Sequence, residues 1–531
     1  MKKRKTWVFM VVLSLVLIMT GCQSNEGEKE IREEGNQSES NVAENETSES
    51  DEKNLNMAIF WLDPNLEPTE GWNGWALTRC GIGENLVQID EDLNFKPVLA
   101  EAYQQLDDVT YEFSIRENAK FQNGKPVTAE ACKQSIERAL NLTDRDDVKF
   151  NLETITADGQ KLTIKLSEPD NIFINKITDT VFVIVDAESA DDENFKYKPV
   201  CTGAFKVESF DADKGMQLSK NEYHWNGPIG IDTVNVMYIQ DASTRAMTLQ
   251  SGEIDFATQI EGTDLKLFEG DERFTVLKGA NLRIFLLRLN MDKPYMKVKA
   301  FRQALNYGID KKTYAESIVQ GIDADGPFNS MLPFGYTGES YYAYSPEMAK
   351  QLLDEAGIVD TNGDGIREYQ GENIVMKYYS RTNHGSGAKN IGTAMQAQYR
   401  EIGLGLEVFQ VENYSDIAQN GEFDMLWERW TSAPSGDPQY FFDASYKTGS
   451  AGNYGDYSNA EFDKICDELN LTADKPKREA LGKEGSELLI EDVASLFMYY
   501  QEGNVVMNKN LTGVYRFVSE IYYIDDRIGI K

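Results

Sequence analysis

The chain has 531 residues with 53 basic side chains against 88 acidic ones, a formal net charge of −35, and only 2 histidines. Such a charge excludes nucleic acid as a natural partner, and so few histidines exclude most His-based catalytic triads and multi-histidine metal sites. Five cysteines, at 22, 80, 132, 201 and 466, are too few for a disulfide framework and show no metal-ligand spacing.

At the amino terminus Lys2, Lys3, Arg4 and Lys5 precede an uncharged apolar run from Trp7 to Met19 that stops at Thr20, Gly21 and Cys22. This reads as a signal peptide over residues 1–21, since the run is short of the ~20 apolar residues that a membrane span needs. A cysteine directly after small residues resembles the bacterial lipoprotein signal, with Met19 where that signal usually has Leu. Cys22 is therefore the expected lipid-attachment residue, the alternative being an ordinary secreted protein cut nearby. Residues 22–54 are expected to form an anchor and disordered tether, because eleven acidic and three basic residues follow Cys22 with almost nothing apolar. The exported chain then carries 49 basic residues against 88 acidic, a net of −39.

From Leu55 onward 477 residues remain, enough for about three domains at about 150 residues each. Asn56 to Leu62 and Leu86 to Ile89 read as strands, and Tyr111, Phe113 and Ile115 alternate as in a half-buried strand. Asn123-Gly124 predicts a hairpin tip. Thr128 follows as the N-cap of a helix with Glu130 in its first turn and Ala131, Ser135, Ile136 and Leu140 on its inner face. Strands are expected over Leu152 to Ile164, Val181 to Val185, Gly203 to Val207, Ile374 to Tyr379, Leu404 to Val411 and Phe423 to Trp427. Helices are expected over Thr244 to Gly252, Lys297 to Gly308, Lys311 to Val319, Pro346 to Gly357, Gly387 to Gly403 and Asn459 to Leu471. The mixture implies α/β or α+β domains and no repeat architecture. No phosphate loop and no nucleophile elbow occurs, so the chain reads as a non-enzyme without a cofactor.

Several ordered pieces carry a resemblance. They are Pro97 to Glu101, Tyr111-Glu112-Phe113, Phe121 to Glu130, Thr202 to Phe205, Asn221 to Trp225, Thr244-Arg245-Ala246 with Gly252 to Asp255, Phe301 to Tyr307, and Ala349 to Gly357. Together they resemble the oligopeptide-, dipeptide- and nickel-binding receptors of ABC importers, family 5 of the solute-binding proteins. The resemblance implies a two-lobed fold of the periplasmic-binding-protein II type with an extra subdomain inserted in the first lobe. It places lobe I at 55–90, 191–288 and 498–531, the insert at 91–190 and lobe II at 289–497. It also implies a monomer that hands a small solute to a permease and its ATPase at the outer face of the membrane.

The same resemblance names ligand-binding candidates. Asp437, in Gly436-Asp437-Pro438, matches the carboxylate that meets a peptide's amino terminus in dipeptide-binding members, and Arg381 matches the arginine that clamps the far carboxylate. A guanidinium suits that task because it is permanently charged and bidentate. The plainer readings are an Asx-turn at Asp437 and a surface ion pair at Arg381. Nickel-binding members have a histidine where this chain has Gln439, and an amide is a poor nickel ligand; short peptides are thus the first expectation and a metal chelate the second. His384, near Arg381, is a further candidate or a solvated loop residue, and His224 reads as structural. Trp72, Trp75 and Trp430 are expected to line the cleft as flat apolar walls, and Trp427 to pack in the core. Asp360 to Ile366 resembles the start of a calcium loop but has Gly371 where the closing Glu belongs, so an Asx-rich turn is the expectation. A surface receptor that senses peptides without importing them is the rival from another functional class.

Overall fold

The computed structural model describes residues 52–336, 340–382 and 385–531. The predicted signal peptide, Cys22, most of the tether and His384 lie outside the described residues. The first strand begins at Asn54, paired with Thr233, so regular structure starts one residue before Leu55.

One long mixed sheet organises the chain. In spatial order its strands are Gly405–Val411, Val375–Arg381, Met425–Thr431, Phe274–Leu289, Ser495–Asn508, Phe256–Thr258, Asn54–Ile59, Thr233–Tyr238, Gly215–Lys220 and Phe205–Asp211. The two central strands, Phe274–Leu289 and Ser495–Asn508, are 16 and 14 residues long and pair antiparallel, with a register shift between Ala280 and Ile284. Each serves two cores. Leu277, Val505 and Met507 pack with Leu55, Met57 and Phe205, whereas Leu286, Leu287, Leu496 and Phe497 pack with Phe301, Tyr378 and Trp427. The molecule is therefore a mixed α/β protein with two lobes that share one sheet, whose central pair is irregular in register between the two cores.

A separate four-stranded antiparallel sheet, Ala100–Asp107, Thr110–Ile115, Lys161–Leu166 and Leu152–Asp158, closes over the helix Ala129–Leu142 and has its own core. Tyr111, Phe113 and Ile115 point into it as their alternation predicted. Thr128 caps the helix through a hydrogen bond from the Ala131 amide at 3.2 Å. The helix's buried face is Ala129, Cys132, Ser135, Ile136 and Ala139, with Ala131 and Leu140 only half-buried.

Other expectations need correction. Val181 to Val185 is a 3₁₀ turn followed by extended chain, because Asp179 caps the turn instead of a neighbouring strand pairing with it. Asn123-Gly124 forms a tight turn closed by an isolated bridge between Lys120 and Pro126, without flanking strands. The strand expected to end at Trp427 runs over Met425–Thr431, so Trp430 lies within it and not in the turn beyond. Three long elements escaped periodicity altogether: the two central strands and the helix Lys475–Glu491. Cys80, Cys132, Cys201 and Cys466 are buried free thiols.

Candidate functional site

A cavity of about 430 Å³ lies where the two lobes and the insert meet. That volume suits a few amino-acid residues or a compact chelate. Phe60 and Trp61, just after the strand Asn54–Ile59, and Trp72 and Trp75, around the short helix Gly74–Arg79, form an aromatic wall. Trp75 meets Trp61 and Trp72 edge to face at 6.3 and 6.2 Å. The second lobe brings Arg381, at the end of the strand Val375–Arg381, with Tyr414, Arg429, Trp430, Asp437 and Tyr440. Trp427 is fully buried in the core, as expected.

The charges in this wall sort into satisfied and unsatisfied groups. Asp437 is held by Arg478, whose Nε donates to Oδ2 at 2.8 Å and whose Nη2 donates to Oδ1 at 2.7 Å; the Gln439 amide also donates to Oδ1, at 2.9 Å. The Asx-turn and the charge pairing thus coexist. Glu428 is neutralised by the fully buried Arg288, 2.7 Å away. Arg283 donates through Nε to Glu520 at 2.9 Å. Arg145 forks between Asp147 and Asp179 and stacks on Trp72, its guanidinium carbon 3.8 Å from the ring centroid.

Two arginines are left over. Arg381 is exposed, lies 4.5 Å over the Tyr414 ring and, among the described residues, donates only to the Ser415 hydroxyl, at 3.4 Å. Arg429 makes no hydrogen bond and no ion pair among the described residues, although it is largely withdrawn from solvent. Burial, then the nearby guanidiniums of Arg283, Arg381 and Arg79, pull its pKa down to about 10 against the opposing pull of the Glu520 carboxylate. A carboxylate placed beside such a cation would relieve repulsion among the arginines and gain charged hydrogen bonds.

Arg381, Asp437, Trp72, Trp75 and Trp430 are thus brought together around one cavity. Gln439 is not. It is buried behind Asp437, where it accepts from Arg478 and donates to Asp443 and Asn470, and it does not line the cavity. Its side chain is consumed by the network that holds Asp437. Sequence reasoning missed Arg429, Arg283 and Arg145. The signal for Arg429 was legible, because Glu428 and Arg429 are adjacent charged residues inside the otherwise largely apolar strand Met425–Thr431.

His224 is structural, buried with Nε2 3.3 Å from Glu84. Asp360 and Asp364 turn their carboxylates onto amides of their own loop, the arrangement of an Asx-rich turn. Among the described residues no group of three His, Cys, Asp or Glu side chains is placed to hold a metal, and no helix is long and apolar enough to cross a membrane.

Comparison with known proteins agrees with this architecture. The chain is 25% identical over 524 residues to the nickel-binding protein NikA of Staphylococcus aureus, covering 98% of each chain. It is 28% identical over 468 residues to the oligopeptide-binding protein AppA of Bacillus subtilis, covering 83% of this chain and 84% of that one. The crystal structure of S. aureus NikA in complex with Ni(L-His)2 superposes with a TM-score of 0.78 at 25% identity, over 90% of this chain and all of that one. AppA in complex with a nonapeptide superposes with a TM-score of 0.76 at 23% identity, over 90% and 99%. Residues 94–453 match the sequence pattern of the bacterial extracellular solute-binding proteins, family 5, middle region. The chain belongs to that family, and is a solute-binding protein of the ABC-importer type and not an enzyme.

Proposed function

We propose that the cavity captures a compact solute that presents carboxylate to Arg429 and Arg381, and that the protein, held to the outer face of the membrane through lipid on Cys22, delivers it to an ABC permease. The observation that carries this reading is Arg429: with Arg381 it is a cation of the cavity wall that forms no ion pair among the described residues, while Asp437, Glu428, Asp147 and Asp179 all have arginine partners. A metal chelated by amino acids fits best. Such a complex carries outward carboxylates, and it needs no metal-ligating histidine or cysteine from the wall, where none is found among the described residues. The Ni(L-His)2 held by the S. aureus relative is a solute of this kind.

Short peptides are the second reading, favoured by Asp437 beside Arg381 in one cavity and by the oligopeptide-binding relative. A peptide amino terminus would share Asp437 with Arg478, which weakens the field it meets. Titration calorimetry with Ni(L-His)2 and with trialanine separates the two. The chelate reading expects binding of the nickel complex that drops at least about tenfold in Arg429→Met and changes little in Asp437→Asn. Trialanine binding that collapses in both variants would favour the peptide. Binding of neither would leave a solute receptor with a different ligand. Import is separated from sensing by uptake of the bound solute in cells lacking the gene: uptake that persists would remove the import role.

A further inference from the structure

The two sides of the cleft touch one another directly, once at the cavity wall, where Asn175 and Ser435 both line it, and twice beyond it. Asn171, in the insert, donates through Nδ2 to the Asn470 carbonyl at 2.8 Å, and Asn175, one helical turn on, donates to the carbonyl and the hydroxyl of Ser435 at 3.1 and 3.0 Å. Asn171 precedes and Asn175 lies within the short helix Phe173–Ile177, whose Phe173 and Ile177 are buried in the insert's own core. The helix is thus anchored on one side and reaches across with the other.

A second contact is apolar. Leu93 sits at the turn between the strands Val87–Ile89 and Phe95–Pro97, whose Val87 and Phe95 belong to the insert's core, yet its own side chain packs against the core of the second lobe. The residue it meets there is Gly436: a Cβ built on that glycine would lie 3.3 Å from the Leu93 Cβ. Leu93 has φ +63, in the left-handed region where a glycine or asparagine would be less strained. Asp90 braces the turn by accepting from the amides of Asp92 and Asn94. A leucine held in disfavoured backbone and aimed at the opposite lobe has a purpose that its own side of the cleft does not supply.

We propose that Leu93, Asn171 and Asn175 form a latch that stabilises the closed cleft before any solute arrives. Observed affinity is the intrinsic affinity of the closed form scaled by the fraction of molecules in it, so contacts that exist only on closure set affinity and release rate without meeting the solute. Leu93 and Asn171 are positioning residues in this sense, since neither lines the cavity. This holds whichever solute the arginines receive.

The test is small-angle X-ray scattering of the ligand-free full chain, wild type against Leu93→Ala/Asn171→Ala, with Asn171→Ala alone as the milder variant. The latch requires a larger radius of gyration in the double variant, a smaller shift in the same direction in the single one, and an unchanged near-UV spectrum that shows each lobe still packed. Where Ni(L-His)2 or trialanine binds, stopped-flow release is expected to speed up about tenfold in the double variant. Scattering curves that superimpose with the wild type would overturn the latch; if the double variant unfolds, the single variant decides by the same criterion.

Discussion

Arg478 grips Asp437 with two parallel hydrogen bonds of 2.7 and 2.8 Å, and spends its remaining donors on the carbonyls of Leu469 and Thr472 and on Gln439. Both side chains are largely buried. The carboxylate expected to greet a ligand is thus also the keystone of the turn that follows the strand Met425–Thr431.

Breaking this pair is expected to be costly. Arg478→Ala leaves a shielded carboxylate without its counter-charge and should lower stability by about 3–5 kcal/mol, read as an earlier midpoint in urea. An unchanged midpoint would show that the pair contributes nothing to folding.

Arg429→Met should act in the opposite sense on the two observables. It removes a cation surrounded by like charge, so the melting temperature should hold or rise, while affinity for a carboxylate-bearing solute should fall at least about tenfold. A drop in melting temperature with intact affinity would move Arg429 from the binding surface to the scaffold.

Asp63 predicts a pH signature. Burial raises its pKa from 3.8 to about 6 against the opposing pull of Arg79. Between those values the folded state binds more protons than the unfolded state, so stability falls as pH rises through that window and the deficit is complete above it. Asp63→Asn should therefore raise the melting temperature at pH 7.5 and leave it nearly unchanged at pH 3.5.

His224 predicts a second one, at higher pH. Burial lowers its pKa, but the Glu84 carboxylate and the nearby Asp526 and Asp525 outweigh that and raise it above 6.5. The stabilisation is full below 6.5 and is lost as pH rises through the elevated value. His224→Gln should flatten this part of the wild-type stability profile, measured by chemical denaturation from pH 6 to pH 9.

Thr128→Ala removes the hydrogen bond to the Ala131 amide at the start of the helix Ala129–Leu142 and should cost about 1 kcal/mol. Thr128→Ser should restore most of it.

The last of these predictions needed nothing but sequence. The Thr128 cap and the alternation of Tyr111, Phe113 and Ile115 are decided within a few residues of chain, and both were legible. The family was legible too, because its motifs are local and ordered. Periodicity failed at the strands Phe274–Leu289 and Ser495–Asn508 because much of each is packed on both faces, and at the helix Lys475–Glu491 because its buried face includes Arg478, Gly482, Gly485 and Ser486, which do not read as an apolar stripe.

The site divided along the same line. Sequence located Arg381, Asp437, Trp72, Trp75 and Trp430, residues whose neighbours in the chain carry a recognisable motif. Only the tertiary structure decided that Asp437 is met by Arg478 from 41 residues away, that Glu428 is met by Arg288 from 140 away, and that the Arg429 side chain forms no ion pair among the described residues. In a chain with 88 carboxylates, local sequence cannot say which of them a guanidinium will find, because that pairing is set by how distant strands and helices pack.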